Sequence, residues 1–231
     1  MKKGISQEGL KILACLTMLL DHIGAVFVHG YALRIIGRIA FPIYCFLLVE
    51  GVRHTKNPRR YGLRLGIGLL LSEIPFDLLF FGALTLKYQS VMVTLVVGFL
   101  MLLLMQRIPQ IWLKCILVLP FALLAEWLHS DYGGWGIVMI ALFALIRHLP
   151  MSWLPQLTGM AVICYCMDSL VIPIGRIRIP IERCALFSML PIGLYRGRKH
   201  IYCRLVQWCF YSFYPVHLMI LYLIQHFVVR S

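Results

Sequence analysis

Two strongly apolar segments between Leu10 and Gly51 constrain this chain most, because each is long enough for a membrane helix and yet carries charge. An ionisable group deep in a membrane helix costs several kcal/mol unless it is paired or faces a cavity. Each such group is therefore a candidate for function. The landmarks of this stretch are Lys11, Asp21, His22, Arg34, Arg38 and Glu50.

The composition of the whole chain predicts a membrane protein with many spans. Of its 231 residues, 61% are hydrophobic and only 13% are charged, whereas about a quarter are charged in soluble domains. We expect an all-α, polytopic bundle of about nine transmembrane spans that forms one domain over residues 1–231. The expected spans are 10–28, 34–51, 62–82, 91–106, 112–129, 132–147, 153–172, 180–195 and 202–229, of which 132–147 is also compatible with a re-entrant segment.

The net charge of +13 is explained by the excess of Lys and Arg that membrane proteins keep in cytoplasmic loops. This distribution predicts a cytoplasmic N-terminus, a multi-pass location in the cell membrane, and a lipid bilayer rather than nucleic acid as the surrounding partner. The eight cysteines include no CxxC pair, so we expect neither a zinc site nor a disulfide framework.

Lys11 and His22 are expected to share one face of the first helix. Eleven residues separate their positions, which amounts to three turns plus roughly 20°, and to a rise of about 16 Å. A cation at the cytoplasmic mouth and an imidazole at depth suit a ligand with an anionic head and a long thin arm, such as coenzyme A. The imidazole is a natural general base, because its unperturbed pKa of about 6.5 lies near working pH.

The partner that orients His22 is expected to come from another span. Neighbours on a helix point about 100° apart, so Asp21 is poorly placed for that role. Three carboxylates on other spans are available: Glu50, Glu73 and Asp77. The alternative reading of His22 is a core histidine that is hydrogen-bonded to a backbone carbonyl or to a neighbouring helix.

Several basic residues are candidates for binding anionic groups. Arg34 and Arg38 are spaced i, i+4 and share a face, from which they can bind an anionic acceptor, polarise a carbonyl or pair with Asp or Glu. For Arg34 the alternative is snorkelling to the membrane surface. The loop 52–64 is first a positive-inside cluster and second a phosphate-binding lip, with Arg53, Arg59 and Arg60 as its candidates.

Other polar residues interrupt apolar sequence farther along the chain. In the run SEIPFD, Pro75 is expected to kink or open the third span between Glu73 and Asp77. Asp131 is a candidate catalyst or a helix cap. His217 is either a second polar group lining the site or an ordinary interhelical hydrogen-bond partner.

Five ordered motifs, spread over nearly the whole chain, resemble the TraX family, whose members are named for the acetylation of conjugative pilin. The motifs are LTMLLDHIG, IGRIAFPIYCFLLVEG, SEIPFDL, DYGGWG and FYPVHL. That family is similar to a wider group of multi-span acyltransferases, which includes the acyltransferase type three family and heparan-α-glucosaminide N-acetyltransferase. In that group a basic residue lies eleven positions before a membrane histidine that handles the acyl group, and Lys11 and His22 match this spacing.

The resemblance implies an integral membrane acetyltransferase that uses acetyl-CoA as its acyl donor and no metal. His22 would be the base or a transient acyl carrier, with Asp21 beside it, and Lys11 would belong to the coenzyme A entrance. The acceptor would be an envelope peptide or glycan. A small transporter or flippase is the alternative, and a membrane scaffold is a further one; a homo-oligomer is compatible with each.

Overall fold

Helices dominate the computed structural model, which describes residues 4–28, 31–146, 153–167, 170–174, 177–197 and 204–229. The mostly helical architecture confirms the all-α prediction. The helices are α1 (Gln7–Ile23), α2 (Tyr31–Gly37), α3 (Ala40–His54), α4 (Pro58–Phe81), α5 (Val91–Met105), α6 (Ile111–Trp127), α7 (Gly133–Ile146), α8 (Trp153–Cys166), α9 (Met189–Gly193) and α10 (Arg204–Ile224). Single π-helical turns, Gly24–Val28 and Gln225–Val229, extend α1 and α10.

Two helical stretches are long and apolar enough to cross a membrane. They are Gln7–Val28, with 22 residues, and Tyr31–His54, with 24 residues. Ser6 caps the first stretch, since its side chain accepts a hydrogen bond from the Gly9 amide. The remaining apolar helices include shorter ones, such as α5 and α7, so by length and composition the structure supports these two spans most directly.

The second stretch is interrupted between α2 and α3, within the segment that we expected to be one helix. Arg38 and Ile39 form a turn, with the Ile39 amide bonded to the Ile36 carbonyl at 3.3 Å. Pro42 explains the interruption, because it lacks the N–H that would bond to the Arg38 carbonyl in a regular helix. The side chain of Arg38 therefore leaves the backbone at a break.

Helix α4 remains unbroken through Pro75, which corrects the expectation that this proline opens the third span. Asn57 caps the start of α4 and Pro58 occupies its first turn, where a missing N–H costs nothing. The helix ends at Gly82, which adopts a left-handed conformation with φ +71°.

Residues 167–195 depart from the two regular spans that we expected there. Helix α8 ends at Cys166, and strands β1 (Val171–Ile174) and β2 (Ile177–Pro180) form an antiparallel hairpin. A 3₁₀ helix, Ile181–Ser188, then leads into α9. Pro173 and Pro180 disfavour a continuous helix, and the β-branched residues between them favour extended backbone.

The second half of this region, from Ile181 onward, extends from one end of the first helix to the other. Near its start Glu182 contacts Arg38, close to the C-terminal end of α1. Near its end, backbone hydrogen bonds join Leu194 and Arg196 to Ile5, beside the N-terminal end of α1. The apolar core lies alongside, where α3 contributes fully buried side chains such as Ile43, and α10 packs against α4 and α1.

Candidate active site

The partner of His22 is His217, from α10. Nδ1 of His22 lies 2.7 Å from Nε2 of His217, and the two rings are within 9° of parallel. The partner comes from another helix, as expected, but it is an imidazole rather than one of the three carboxylates. Of the two roles left open for His217, the structure shows the interhelical hydrogen bond.

A second hydrogen bond determines which nitrogens carry protons in this pair. Nδ1 of His217 lies 2.7 Å from the carbonyl oxygen of Phe213, one turn earlier in α10. A carbonyl only accepts, so Nδ1 of His217 donates to it, and in the neutral ring Nε2 is then an acceptor. Nδ1 of His22 must donate to that acceptor. Nε2 of His22 is left with a lone pair, which is the protonation pattern of a base.

Aromatic rings enclose the pair of histidines. Phe80 meets the His22 ring edge-on with 5.7 Å between ring centroids, and Phe213 stacks on His217 at 4.9 Å. Tyr214 lies against both imidazoles, at 6.1 Å from His22 and 5.6 Å from His217. His217 itself is only 5% exposed. These contacts hold both rings in one orientation.

Asp21 pairs with arginines rather than with His22 and belongs to a charged cluster of four residues, Asp21, Arg34, Arg38 and Glu182. Its Oδ2 accepts hydrogen bonds from Arg34 at 2.6 Å and from Arg38 at 2.5 Å. Arg38 also donates to Glu182 at 2.8 Å. Two arginines thus meet two carboxylates, so the cluster is neutral overall. We predicted Asp21 as a catalytic residue; the structure places its carboxylate on the arginines.

The charged cluster is tightly packed as well as paired. Gly37 lies against the Asp21 carboxylate so closely that a Cβ atom added at Gly37 would overlap it. Oδ1 of Asp21 and Nε of Arg38 are buried, with no hydrogen-bond partner in the described part of the chain. Removing one member of such a buried group leaves an uncompensated charge behind.

The loop between α6 and α7 closes over the charged cluster. Tyr132 adopts a left-handed conformation with φ +63°, and its hydroxyl accepts a hydrogen bond from Arg38 at 3.1 Å. Its ring stacks on Phe41 with 3.7 Å between centroids. Oδ1 of Asp131 accepts from the Tyr88 hydroxyl at 2.9 Å and from the Tyr132 amide, so Asp131 holds this loop in shape. Burial raises the pKa of the Asp131 carboxyl.

A cavity of about 50 Å³, which we call the smaller cavity, borders His22. Its walls come from α1, the α2–α3 break, α3, the start of α5, the α6–α7 loop and α10. They consist of Met18, Asp21, His22, Gly37, Arg38, Ala40, Phe41, Tyr44, Val91, Asp131, Tyr132 and Tyr214. The candidate base and the candidate cation Arg38 therefore border the same space.

A second cavity of about 240 Å³, which we call the larger cavity, lies beside it toward the N-terminal end of α1. Polar residues at that end have both signs of charge: Lys11 and Arg64 lie with Glu8 and Glu50. Deeper walls include Cys15, Leu47, Leu95, Phe210 and Tyr211. Lys11, Cys15, Met18 and His22 border one or both cavities, which is the α1 face predicted from the eleven-residue spacing.

The three arginines predicted for the basic lip, Arg53, Arg59 and Arg60, do not line the larger cavity, although other residues of the 52–64 segment do. Arg53 lies 3.9 Å from Glu50, which does line the cavity and is only 1% exposed. Arg59 and Arg60 are exposed in the first turn of α4. Arg64, one turn farther along, lines the cavity and packs over the Tyr211 ring at 5.4 Å. The segment 52–64 thus contributes one lining arginine, Arg64, and further positive charge near this end of the cavity.

Glu73 and Asp77 contact the loop that follows α4 and border neither cavity. Glu73 accepts a hydrogen bond from the Ser90 hydroxyl at 2.5 Å, and Asp77 accepts from the Thr85 amide at 2.9 Å. These contacts shape the 82–90 loop and the start of α5. The structure therefore does not bring these two predicted substrate-binding residues together with His22.

The structure adds four residues to the predicted site: Tyr44, Tyr132, Glu182 and Tyr214. Glu182 was within reach of the rule used for the other charges, since it is an ionisable residue inside a predicted span. The tyrosines had no such signal, because a tyrosine in an apolar helix is most often a core residue. Tyr44 contacts Cys15 at 3.3 Å, between its hydroxyl and the sulfur.

Comparison with known proteins places this site in a family. The probable fimbrial assembly protein FimC, serogroup H1, of Dichelobacter nodosus is 27% identical over 234 residues, which cover 92% of each chain. No solved structure shows a significant match. The family model described as TraX protein matches residues 6–225, which include every residue of the two cavities. The chain therefore belongs to the TraX family.

Proposed function

We propose that this protein is a multi-pass acetyltransferase of the cell membrane, which moves an acetyl group from cytoplasmic acetyl-CoA to an envelope acceptor. The observation that carries the proposal is the pair of hydrogen bonds that leaves Nε2 of His22 as a base. This base borders the smaller cavity, and the larger cavity beside it opens among basic residues. A donor with an anionic head and a thin thioester arm suits this arrangement.

In this proposal the N-terminal end of α1 faces the cytoplasm. The basic loop between α3 and α4, with Arg53, Arg59 and Arg60, flanks the same end of the larger cavity. An excess of basic residues marks the cytoplasmic side of membrane proteins. In this orientation the segment 181–195 runs beside α1 toward the cytoplasmic side, and α10 crosses the bundle in the opposite direction.

The donor enters through the larger cavity. Lys11 and Arg64 offer positive charge to its phosphates, and Arg53 adds charge at the rim. Glu8 and Glu50 lie among these cations and limit the excess of positive charge there. The apolar middle of the cavity, with Leu47 and Leu95, suits the thin arm, so that the thioester arrives beside His22.

The chemical step needs one proton acceptor and one leaving thiolate. Nε2 of His22 removes a proton from the amine or hydroxyl of the acceptor, which attacks the thioester carbonyl. The carbon–sulfur bond breaks, and the thiolate of coenzyme A takes the proton back from His22. In the alternative route, Nε2 of His22 attacks the thioester carbonyl and the coenzyme A thiolate leaves. The acceptor then attacks the acetyl-histidine, gives up its proton and releases the neutral imidazole.

Arg38 supplies fixed positive charge next to this step. It borders the smaller cavity with His22, and Asp21, Glu182 and Tyr132 hold its guanidinium in place. A group that is already oriented stabilises a developing negative charge without reorganisation during the reaction. In the proposal, the charge that develops on the carbonyl oxygen benefits from this arginine.

The acceptor is proposed to be related to pilus or fimbria assembly. The family name and the name of the Dichelobacter nodosus relative both support this class. The reacting group on the acceptor is an amine or a hydroxyl of a pilin-like protein, an envelope peptide or a sugar, and it reaches His22 from the membrane or from the outer face.

Release of free thiol from acetyl-CoA tests the proposal. We expect the purified protein in detergent to release thiol, faster with envelope extract, and His22→Ala to slow release about 10²- to 10⁴-fold, the usual contribution of a general base. His226→Ala is the matched control, since this histidine is exposed and borders neither cavity. No release by the wild type, with no stabilisation by acetyl-CoA, overturns the proposal, and substrate flux into vesicles would then favour a transporter.

A further inference from the structure

The two cavities meet at a boundary formed by four residues from four helices. Met18 of α1, Tyr44 of α3, Val91 of α5 and Tyr214 of α10 line both spaces. Met18 is 7% exposed and Tyr214 is 6% exposed, so this boundary is buried in the bundle. In the proposed function, a donor arm that enters the larger cavity passes these four residues on its way to His22.

The smaller cavity has room for little beyond the boundary. Its volume of about 50 Å³ is roughly one fifth of the 240 Å³ of the larger cavity. One water molecule requires a cavity of roughly 10–15 Å³, so the space suits a group of only a few heavy atoms. The stacked rings of Phe41 and Tyr132 form part of its wall.

We infer that the smaller cavity is an acyl chamber that limits the transferred group to acetyl, and that Met18 and Val91 set this limit. The inference rests on the proposed acyl transfer and adds to it the residues that limit the length of the acyl chain. A longer acyl chain needs more room beyond the thioester carbonyl than the roughly 50 Å³ of this cavity provides. Charged residues in its wall, including Asp21 and Arg38, disfavour apolar chain atoms there, because such atoms cannot form hydrogen bonds with them.

Met18 is the boundary residue whose removal should matter most. It precedes His22 by four residues, which places it one helical turn away on the same face of α1. Truncation to Ala deletes three heavy atoms at the junction of the two cavities and joins the freed volume to the chamber. Val91 lies at the first turn of α5 and offers a second, smaller enlargement of the same space.

Met92 provides a matched control from the next position along the chain. It lines the larger cavity but not the smaller one, and it is 8% exposed, close to the 7% of Met18. Met92→Ala is therefore the same chemical change, in a similarly buried position, with extra volume on the donor side only. It should leave the choice of acyl chain unchanged.

The experiment measures kcat/KM for thiol release from acetyl-CoA, propionyl-CoA, butyryl-CoA and hexanoyl-CoA by the full chain in detergent. A single methylene in a tight pocket changes kcat/KM by roughly 10- to 200-fold. We expect the wild type to prefer acetyl over butyryl at least 100-fold. Met18→Ala should reduce this ratio at least tenfold, Val91→Ala should reduce it less, and Met92→Ala should not change it.

Each other outcome has a defined meaning. A wild type that uses hexanoyl-CoA as well as acetyl-CoA overturns the acyl chamber and leaves acyl transfer standing. Equal ratios for the Met18→Ala and Met92→Ala variants also overturn it. If Met18→Ala does not fold, the Val91→Ala ratio decides, with no reduction counting against the chamber. Absence of thiol release from every donor overturns the proposed function, and the chamber with it.

Discussion

Nδ1 of His22 and Nε2 of His217 lie 2.7 Å apart, although 195 positions separate the two residues along the chain. The bond joins the first helix to the last. Because His217 is itself anchored to the Phe213 carbonyl, only one arrangement of protons satisfies both neutral rings. An imidazole thus performs the orienting task that a carboxylate performs in many hydrolases.

His217 should act as a positioning residue. We expect His217→Leu to lower kcat for thiol release about 100-fold, near the lower end of what a general base contributes, because His22 loses its defined tautomer. KM for acetyl-CoA should change less than threefold. His217→Gln should recover part of kcat, since its amide oxygen can accept from Nδ1 of His22. Equal losses in the Leu and Gln variants would argue for a purely structural role.

The two arginines of the charged cluster should differ in their contribution to stability. Arg38 pairs with Asp21 and Glu182 and its side chain is 11% exposed, whereas Arg34 pairs with Asp21 alone and is 21% exposed. Loss of one partner of a buried pair costs about 3–5 kcal/mol. We expect Arg38→Met to lower the free energy of unfolding by this amount and Arg34→Met by less.

Denaturant titration in detergent micelles measures both effects. The double variant Asp21→Asn with Arg38→Met should be less destabilised than the sum of the single variants, because the two side chains share one interaction. Additive effects would show that the pair contributes independently.

Lys11 should affect donor binding more than turnover. In the proposed mechanism it contacts the anionic head of acetyl-CoA and does not touch the reacting atoms. We expect Lys11→Gln to raise KM for acetyl-CoA about tenfold, which corresponds to about 1.4 kcal/mol, with kcat within twofold of the wild type. Arg107→Gln is the control, since Arg107 is exposed and borders neither cavity. A fall in kcat without a rise in KM would place Lys11 at the chemistry instead.

Asp131 should make stability depend on pH. Burial, the largest cause, raises the pKa of its carboxyl, and the groups that face it are Arg38, Tyr88, Glu182 and Asp21. A carboxyl with a raised pKa in the folded state favours folding below its unfolded pKa of about 3.9, and this advantage is lost as pH rises through the folded value.

The variant Asp131→Asn removes this titration while its amide oxygen can still accept from Tyr88. Its melting temperature should therefore equal that of the wild type near pH 4 and exceed it at pH 8. A difference that stays constant across this range would contradict the prediction.

Local pattern was sufficient for several parts of this site. The eleven-residue spacing of Lys11 and His22 correctly predicted one helix face, and the i, i+4 spacing of Arg34 and Arg38 predicted a shared face, on which both now bind Asp21. The helical periodicity that supports such inferences depends only on neighbours along the chain.

The partners across the bundle depend on how helices pack, which periodicity does not encode. His217 was a candidate, but nothing in the sequence paired it with His22 in preference to a carboxylate. The segment 180–195 was predicted to be a helix because it is apolar. Instead, a hairpin that contains Pro173 and Pro180 precedes it, and its own first part is a 3₁₀ helix. Glu182 lies in this segment and was not predicted as a site residue.

Gly37 shows that an uncharged atom can belong to an electrostatic network. One of its two α-hydrogens stands where every other residue carries a Cβ atom, and a Cβ atom at that point would overlap the Asp21 side chain. Exchanging that hydrogen for a methyl group would push the carboxylate away from both arginines without altering any charge. A mutational scan should therefore rank Gly37→Ala beside the loss of an ion pair, although the substitution is among the smallest that chemistry allows.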